Sequence, residues 1–207
     1  MIIAIDGPAA AGKGTIALKL AKHYGLNHLD TGLLYRAIGR LMTEQGLDLD
    51  NAAEAGAVAR RLTPKDLDHP ELRGREAGEL ASRVAVHPEV RAALVEFQRA
   101  FARTAPGAVL DGRDIGTAIC PNADVKIFVT ASPEVRARRR TDELNAKGRN
   151  VPYERILAEI LERDERDSHR SAAPLRQADD AVRLDTTALD AEAAFAAAVA
   201  IVEAGHD

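Results

Sequence analysis

Short apolar runs rich in β-branched residues recur along the chain at 2–6, more weakly at 27–29, and again at 108–111, 125–130 and 181–185. They lack the strict in-out alternation of a half-exposed strand, which is the pattern of strands covered on both faces. Between them the apolar positions recur every three to four residues. That spacing predicts helices at about 13–24, 31–45, 51–62, 76–103 with a break at Pro88, 133–147, 152–169 and 190–204. Strands alternating with helices predict an α/β fold: a five-stranded parallel sheet flanked by helices, right-handed crossovers, and ligands gathered at the carboxyl ends of the strands. The last, alanine-rich helix reads as packing. Between Gly46 and Pro106 no run has strand character, and Thr63-Pro64, His69-Pro70, Gly74 and His87-Pro88 punctuate it. A helical insertion is expected there, placed to close over the ligand edge of the sheet.

Composition narrows the picture. At 207 residues with 46% apolar content, one ordinary domain with a sizeable core is expected. A formal charge of −4 argues against a general nucleic-acid binder, so any basic site is local and aimed at a small anion. Cys120 is the only cysteine, which excludes an internal disulfide and fits a reducing interior. Residues 2–5 are too short for a signal-peptide core and no stretch reaches membrane-spanning length, so a cytoplasmic protein without a membrane partner is expected. There are no internal repeats or low-complexity tracts.

The first strand breaks into Gly7-Pro8-Ala9-Ala10-Ala11-Gly12-Lys13-Gly14-Thr15. The pattern Gly-x4-Gly-Lys is complete, it follows a strand, and it opens a helix, as a phosphate-cradling loop requires. Glycines let successive N–H groups turn inward, and the helix directs its positive end at the same point. Lys13 then supplies a point charge for the β- and γ-phosphates of a nucleoside triphosphate. The usual hydroxyl after the lysine is replaced by Gly14 and arrives one place later on Thr15.

Three further clusters carry charge where a sheet would present it to a cleft. Asp30-Thr31-Gly32 ends a strand and opens a helix that puts Thr31 and Arg36 a turn apart near a positive helix end. That suits a phosphate monoester, although an N-cap threonine and a solvated arginine would look the same. Asp111-Gly112-Arg113-Asp114 follows directly from an apolar strand, where charges beside a core are tolerated when they are paired or serve a ligand. Asp111 stands where a P-loop enzyme commonly orders its magnesium shell. Arg163, Asp167 and Arg170 share one face of the helix at 152–169, an arrangement that a plain salt-bridge ladder also explains. Arg136, Arg138, Arg139 and Arg140 lie on a helix introduced by Ser132-Pro133, an N-cap followed by proline.

Taken in order, Gly7 to Thr15, Leu29-Asp30-Thr31-Gly32-Leu33-Leu34-Tyr35-Arg36, Ala81-Ser82-Arg83-Val84-Ala85, Leu110-Asp111-Gly112-Arg113-Asp114-Ile115-Gly116-Thr117, Val125-Lys126-Ile127-Phe128 and Arg163-Asp164-Glu165-Arg166-Asp167 together resemble the bacterial cytidylate kinases. The resemblance spans most of the chain. It implies a P-loop kinase acting as a monomer on CMP and dCMP, with ATP as phosphoryl donor and Mg2+ as its companion ion. An acceptor-binding insertion at about 31–103 and a short helical lid at about 136–155 are implied with it. It assigns Thr31, Arg36 and Arg113 to the acceptor phosphate, Ser82, Arg91 and Asp114 to the base, Arg163 and Asp167 to the sugar, and Arg170 to phosphate. The catalytic set becomes Lys13, Arg139, Arg140 and Arg170, the lid arginines folding over the triphosphate. An aspartate at the base accepts from cytosine's exocyclic amine and disfavours uracil by on the order of 1–3 kcal/mol. Many bacterial members have a small β-sheet excursion in the insertion. Residues 47–80 here are short and Ala-rich, which predicts a reduced, mainly helical one. Adenylate, shikimate or gluconate kinases would share the cradle alone, and a GTP-dependent switch would need an Asn-Lys-x-Asp stretch, which is absent.

Overall fold

A computed structural model describes residues 1–169 and 173–205. In chain order it contains β1 (Ile2–Asp6), α1 (Lys13–Tyr24), β2 (Asn27–Asp30), α2 (Thr31–Glu44), α3 (Ala52–Arg60), α4 (Arg75–Val84), α5 (Pro88–Ala102), β3 (Ala108–Gly112), β4 (Val125–Thr130), α6 (Pro133–Ala146), α7 (Tyr153–His169), β5 (Val182–Asp185) and α8 (Ala191–Ala204). The five strands form one parallel sheet in the order β2-β3-β1-β4-β5. β1 is central, with Ile3 opposite Val109 on one side and Val125 on the other.

The unalternating apolar runs follow from cover on both faces. Ile3, Ile5, Val109, Ile127 and Val129 pack with Ile16 and Leu20 of α1 and Ala198 and Val202 of α8. On the opposite face, Ala4, Leu29 and Leu110 meet Ala102 of α5 together with Ile115 and Ile119. Lys126 is the one cation inside the β4 run, and its buried ammonium donates to the Asp180 carboxylate at 2.6 Å.

Between β2 and β3 the chain forms a second apolar cluster of its own, in which Leu34, Ile38 and Met42 of α2 meet Val58 of α3, Val84 of α4 and Val90 and Leu94 of α5. The α2–α4 crossing is close. A methyl group added to Gly39 would stand 2.7 Å from the Leu80 side chain and 3.0 Å from its backbone. Local chemistry sets the boundaries: Asn51 caps α3 through Ala53 and Glu54 N–H, and prolines open both α5 and two single 3-10 turns, Pro64–Leu67 and Pro70–Arg73. The predicted break at Pro88 separates two distinct helices, since α4 ends at Val84. No strand lies between Asp30 and Ala108 among the described residues.

α6 begins with proline after a Ser132 cap that accepts from Val135 N–H. It leads through residues 147–152 into α7, and the two helices share Ala137, Leu144, Ile156 and Ile160. No described helix is long and apolar enough to cross a membrane.

Candidate active site

The carboxyl ends of β1 and β3, the start of α2, and α4, α6 and α7 enclose a cleft of about 850 Å3. Its floor is the loop after β1. Gly7 takes a φ of 145°, and a Cβ there would sit 1.9 Å from the Val129 carbonyl oxygen, so no side chain fits. Ala10 adopts a left-handed φ of 59°, a conformation that costs a residue with a side chain about 1 kcal/mol or more and tends to persist where function demands it. Lys13 begins α1, is buried, and donates from Nζ to the Pro8 carbonyl at 2.7 Å. Burial, with repulsion from Arg113, pushes its ammonium down to about 7, while Asp111 pulls the other way.

Sequence reasoning missed Asp6. Its two carboxylate oxygens accept from Ile115 N–H at 2.8 Å and Gly116 N–H at 2.7 Å, and so fix the turn that follows Asp111-Gly112-Arg113-Asp114. Burial raises its carboxyl to about 6, against the pull of those two N–H groups. An aspartate ending the apolar run Ile2–Asp6 was the available signal, because a charge there needs a structural partner. Asp111 is held by the His28 ring, whose Nε2 lies 2.9 Å from Oδ1. Its Oδ2 lies 3.9 Å from the point where a side chain on Gly14 would begin. The exposed Thr15 hydroxyl and this carboxylate make a hard oxygen donor set, which fits Mg2+ retaining most of its water shell.

At β2, the structure resolves which residue caps α2. Asp30 is the cap, accepting from Gly32 N–H at 2.9 Å, and the Thr31 hydroxyl instead donates to the Asp111 carbonyl at 2.8 Å, tying α2 to β3. The alternative of an N-cap threonine is thus set aside: a carboxylate on the preceding residue is the stronger acceptor for the free N–H. Burial raises the Asp30 carboxyl, and Asp111 nearby adds to the rise. Arg36 donates to the Leu72 carbonyl at 2.8 Å, and burial lowers its pKa.

Across the cleft, α7 carries i,i+4 ion pairs of its own, Arg155 with Glu159 at 3.1 Å and Arg166 with Glu162 at 2.6 Å, but Asp167 finds its nearer partner outside the helix. Asp167 is buried and accepts from Nε of Arg113 at 2.8 Å, whereas Arg163 of its own helix stands 3.8 Å away. Burial opposes the charge on Arg113, but the Asp167 carboxylate more than offsets this and the pKa rises. Arg163 falls to about 10 through burial and repulsion from Arg113, and its Nε has no hydrogen-bond partner. Deeper in, Arg91 and Asp114 form a buried ion pair, with the Arg91 guanidinium 5.9 Å from the Tyr35 ring centre. Ser82, also buried, accepts from Nη1 of Arg166 at 3.0 Å.

The basic helix α6 distributes its arginines unevenly. Arg136 is buried and pairs with Asp164 of α7 at 3.0 Å while donating to the Ala9 carbonyl at 3.2 Å. Arg138 stacks over Tyr153 at 4.9 Å. Arg139 donates to Thr186 Oγ1 and to the carbonyls of Thr186 and Leu189, and Thr186 in turn donates to the Ala11 carbonyl at 3.1 Å, so Arg139 braces the phosphate loop from behind. Arg140 also lines the cleft and pairs with Glu143 at 2.7 Å. Lys13, Thr31, Arg36, Ser82, Arg91, Arg113, Asp114, Arg139, Arg140, Arg163 and Asp167 therefore all converge on one cleft with Ala9, Ala10, Gly12, Gly14 and Thr15. Arg170 lies outside the described residues.

A doubly covered parallel sheet, a glycine-rich loop feeding a helix N-terminus at its central strand, and an arginine-lined cleft above it define a P-loop kinase. A gluconokinase from Sinorhizobium meliloti 1021 shares the fold at a TM-score of 0.54 and 15% identity, over 98% of this chain and 91% of that one. The family model for cytidylate kinase matches residues 3–204. A cytidylate kinase of Xanthobacter autotrophicus is 63% identical over 99% of this chain and 98% of its own length. Another, from Methylocella silvestris, is 61% identical over 100% of this chain and 96% of its own length. The chain belongs to the cytidylate kinase family.

Proposed function

We propose that this protein transfers the γ-phosphoryl group of ATP to the phosphate of CMP or dCMP, giving the diphosphate and ADP. The observation that carries this reading is the convergence in one cleft of the Lys13 phosphate loop, the arginines 36, 113 and 163, and a pocket built by Ser82, Arg91 and Asp114. The loop takes the triphosphate, Arg36 and Arg113 take the acceptor phosphate, Arg163 takes the sugar, and the pocket takes the base. In this reading α2 to α5 form the acceptor-binding insertion, about 31–103, and the hairpin of α6 and α7 supplies a lid at about 136–155.

The acceptor phosphate is already an anionic nucleophile, so no side chain has to remove a proton. What the protein must do is align two polyanions and neutralise their repulsion. Thr15 and Asp111 would hold the water shell of Mg2+, which supplies charge neutralisation at the β- and γ-phosphates when bound. Lys13 binds the same phosphates from below. Arg139 and Arg140 of the lid region fold over the triphosphate and Arg170 serves phosphate, while Arg163 and Asp167 position the sugar. Asp114 accepts from the exocyclic amine of the base. The resemblance implies action as a monomer, and the lone, buried Cys120 suits a reducing cytoplasm.

The test is ADP and diphosphate formation from Mg·ATP across CMP, dCMP, UMP, AMP and shikimate. CMP and dCMP should turn over fastest. Absence of CDP from purified, folded protein sinks the proposal.

A further inference from the structure

Arg166 is placed by neither the phosphate nor the sugar assignments, yet it reaches across the cleft from α7 to the buried hydroxyl of Ser82 on α4. We propose that Arg166 is a specificity-determining positioning residue: by occupying one of the two lone pairs of the Ser82 oxygen it biases that hydroxyl toward donating to the base. The inference rests on the reading of Ser82 and Asp114 as base-pocket residues.

A guanidinium can only donate. With Nη1 of Arg166 3.0 Å from the Ser82 oxygen, the hydroxyl proton has to point away from that guanidinium, and the cleft that Ser82 lines is open to it. The Arg166 fork is itself aimed: its Nη2 donates to Glu162 one turn back at 2.6 Å. The Asp114 carboxylate, which lines the same cleft, accepts only. Together the two side chains offer one donor and one acceptor in fixed places. A 4-amino pyrimidine presents the complement, a ring nitrogen with a lone pair beside an exocyclic amine. A 4-oxo pyrimidine presents the reverse, a ring N–H beside a carbonyl, and meets a donor with a donor. Without Arg166 the Ser82 hydroxyl is free to rotate and accept that ring N–H, so the discrimination weakens from the serine side while Asp114 is untouched.

The experiment compares kcat/KM for CMP and UMP in the wild type, Arg166→Met, Ser82→Ala and the double variant. Arg166→Met keeps the length and packing of the side chain without its donors, and Arg166→Ala serves if the methionine variant folds poorly. The CMP-to-UMP ratio should fall about tenfold in Arg166→Met, largely through a gain with UMP, the size expected when one mismatched hydrogen bond is relieved. In the Ser82→Ala background, removing Arg166 should change the ratio no further, because its effect passes through that hydroxyl. A variant that slows both acceptors equally, or one whose effect on the ratio is the same with and without Ser82, overturns the inference. Those outcomes leave CMP phosphorylation standing; failure of the wild type to phosphorylate CMP would instead remove the underlying reading.

Discussion

Lys13 gives the sharpest quantitative prediction because its charge is unfavourable in the empty cleft and favourable once phosphates arrive. Its pKa falls from 10.5 to about 7, which at about 1.4 kcal/mol per unit is roughly 5 kcal/mol against the ammonium. A folded pKa below the unfolded one means that this lysine's contribution to stability is fully present above its ordinary value and is lost as pH falls through about 7. Polyphosphate reverses the balance by placing negative charge beside Nζ. At about pH 8.5 the empty cleft holds mostly neutral lysine, so ATP binding should take up close to one proton, and affinity should weaken by up to about tenfold per pH unit above neutrality. At about pH 6 the lysine is already charged and its uptake should vanish. Calorimetric titration with Mg·ATP in two buffers of unequal ionisation enthalpy measures the uptake directly. Lys13→Arg is the control, since a guanidinium stays charged throughout and should bind without the proton. Binding heats at about pH 8.5 that do not depend on buffer, or a dependence that survives in Lys13→Arg, would refute the reasoning.

Three further outcomes follow from particular contacts. Asp114→Ala should narrow the kcat/KM preference for CMP over UMP by on the order of 1–3 kcal/mol while slowing CMP less, and equal losses with both would make Asp114 a scaffold for Arg91 alone. Gly39→Ala should destabilise the fold by about 1–3 kcal/mol in urea titration, because the new methyl group meets Leu80 backbone as well as side chain; a neutral result would show that α2 and α4 can separate freely. Asp6 has a folded pKa of about 6, above its ordinary 3.8, so its contribution is fully present below about 3.8 and is lost as pH rises through 6, a loss of roughly 3 kcal/mol. Asp6→Asn should flatten that part of the stability curve, measured by denaturant unfolding between about pH 4 and pH 7, and a wild-type slope retained in the variant would assign it to other groups.

Much of this was readable before any coordinates because two periodicities and one loop carry it. Continuous β-branched runs could only be strands covered twice, and a strand entering Gly-x4-Gly-Lys fixes where the phosphate loop lies in the sheet. The residues that escaped notice work through the backbone or through distant partners. Asp6 looked like the last polar residue of a strand, although its role is to hold two N–H groups more than a hundred positions away. Arg136 looked equivalent to Arg139 and Arg140, yet only folding decides that Arg136 is buried against Asp164, while Arg139 lines the cleft and grips the loop after β5 and Arg140 lines it beside Glu143. Asp167 shows the same selection: helical spacing offers Arg163, which stands 3.8 Å away, while the end of the sheet delivers Arg113 at 2.8 Å. Local spacing lists which neighbours are possible, and the tertiary fold chooses among them.

The same electrostatics explains why an acidic chain concentrates arginine here. Arg91, buried, and Arg113, half-buried, stand beside carboxylates that hold their pKa values up, so their charge is compensated before any ligand binds. Lys13, Arg36 and Arg163 are pushed down, first by burial, and Arg113 is among the repelling neighbours of all three. Repulsion of this kind is tolerable only if the empty state is a minority state in use, or if stability elsewhere offsets it. The uncompensated charge therefore marks the volume around Arg113 as the place for anions, with Lys13 on the triphosphate side and Arg36 and Arg163 on the other. Two phosphate chains meeting there draw on the same three cations, so the first nucleotide bound takes up part of the attraction open to the second, and the resulting coupling is of equal size whichever binds first.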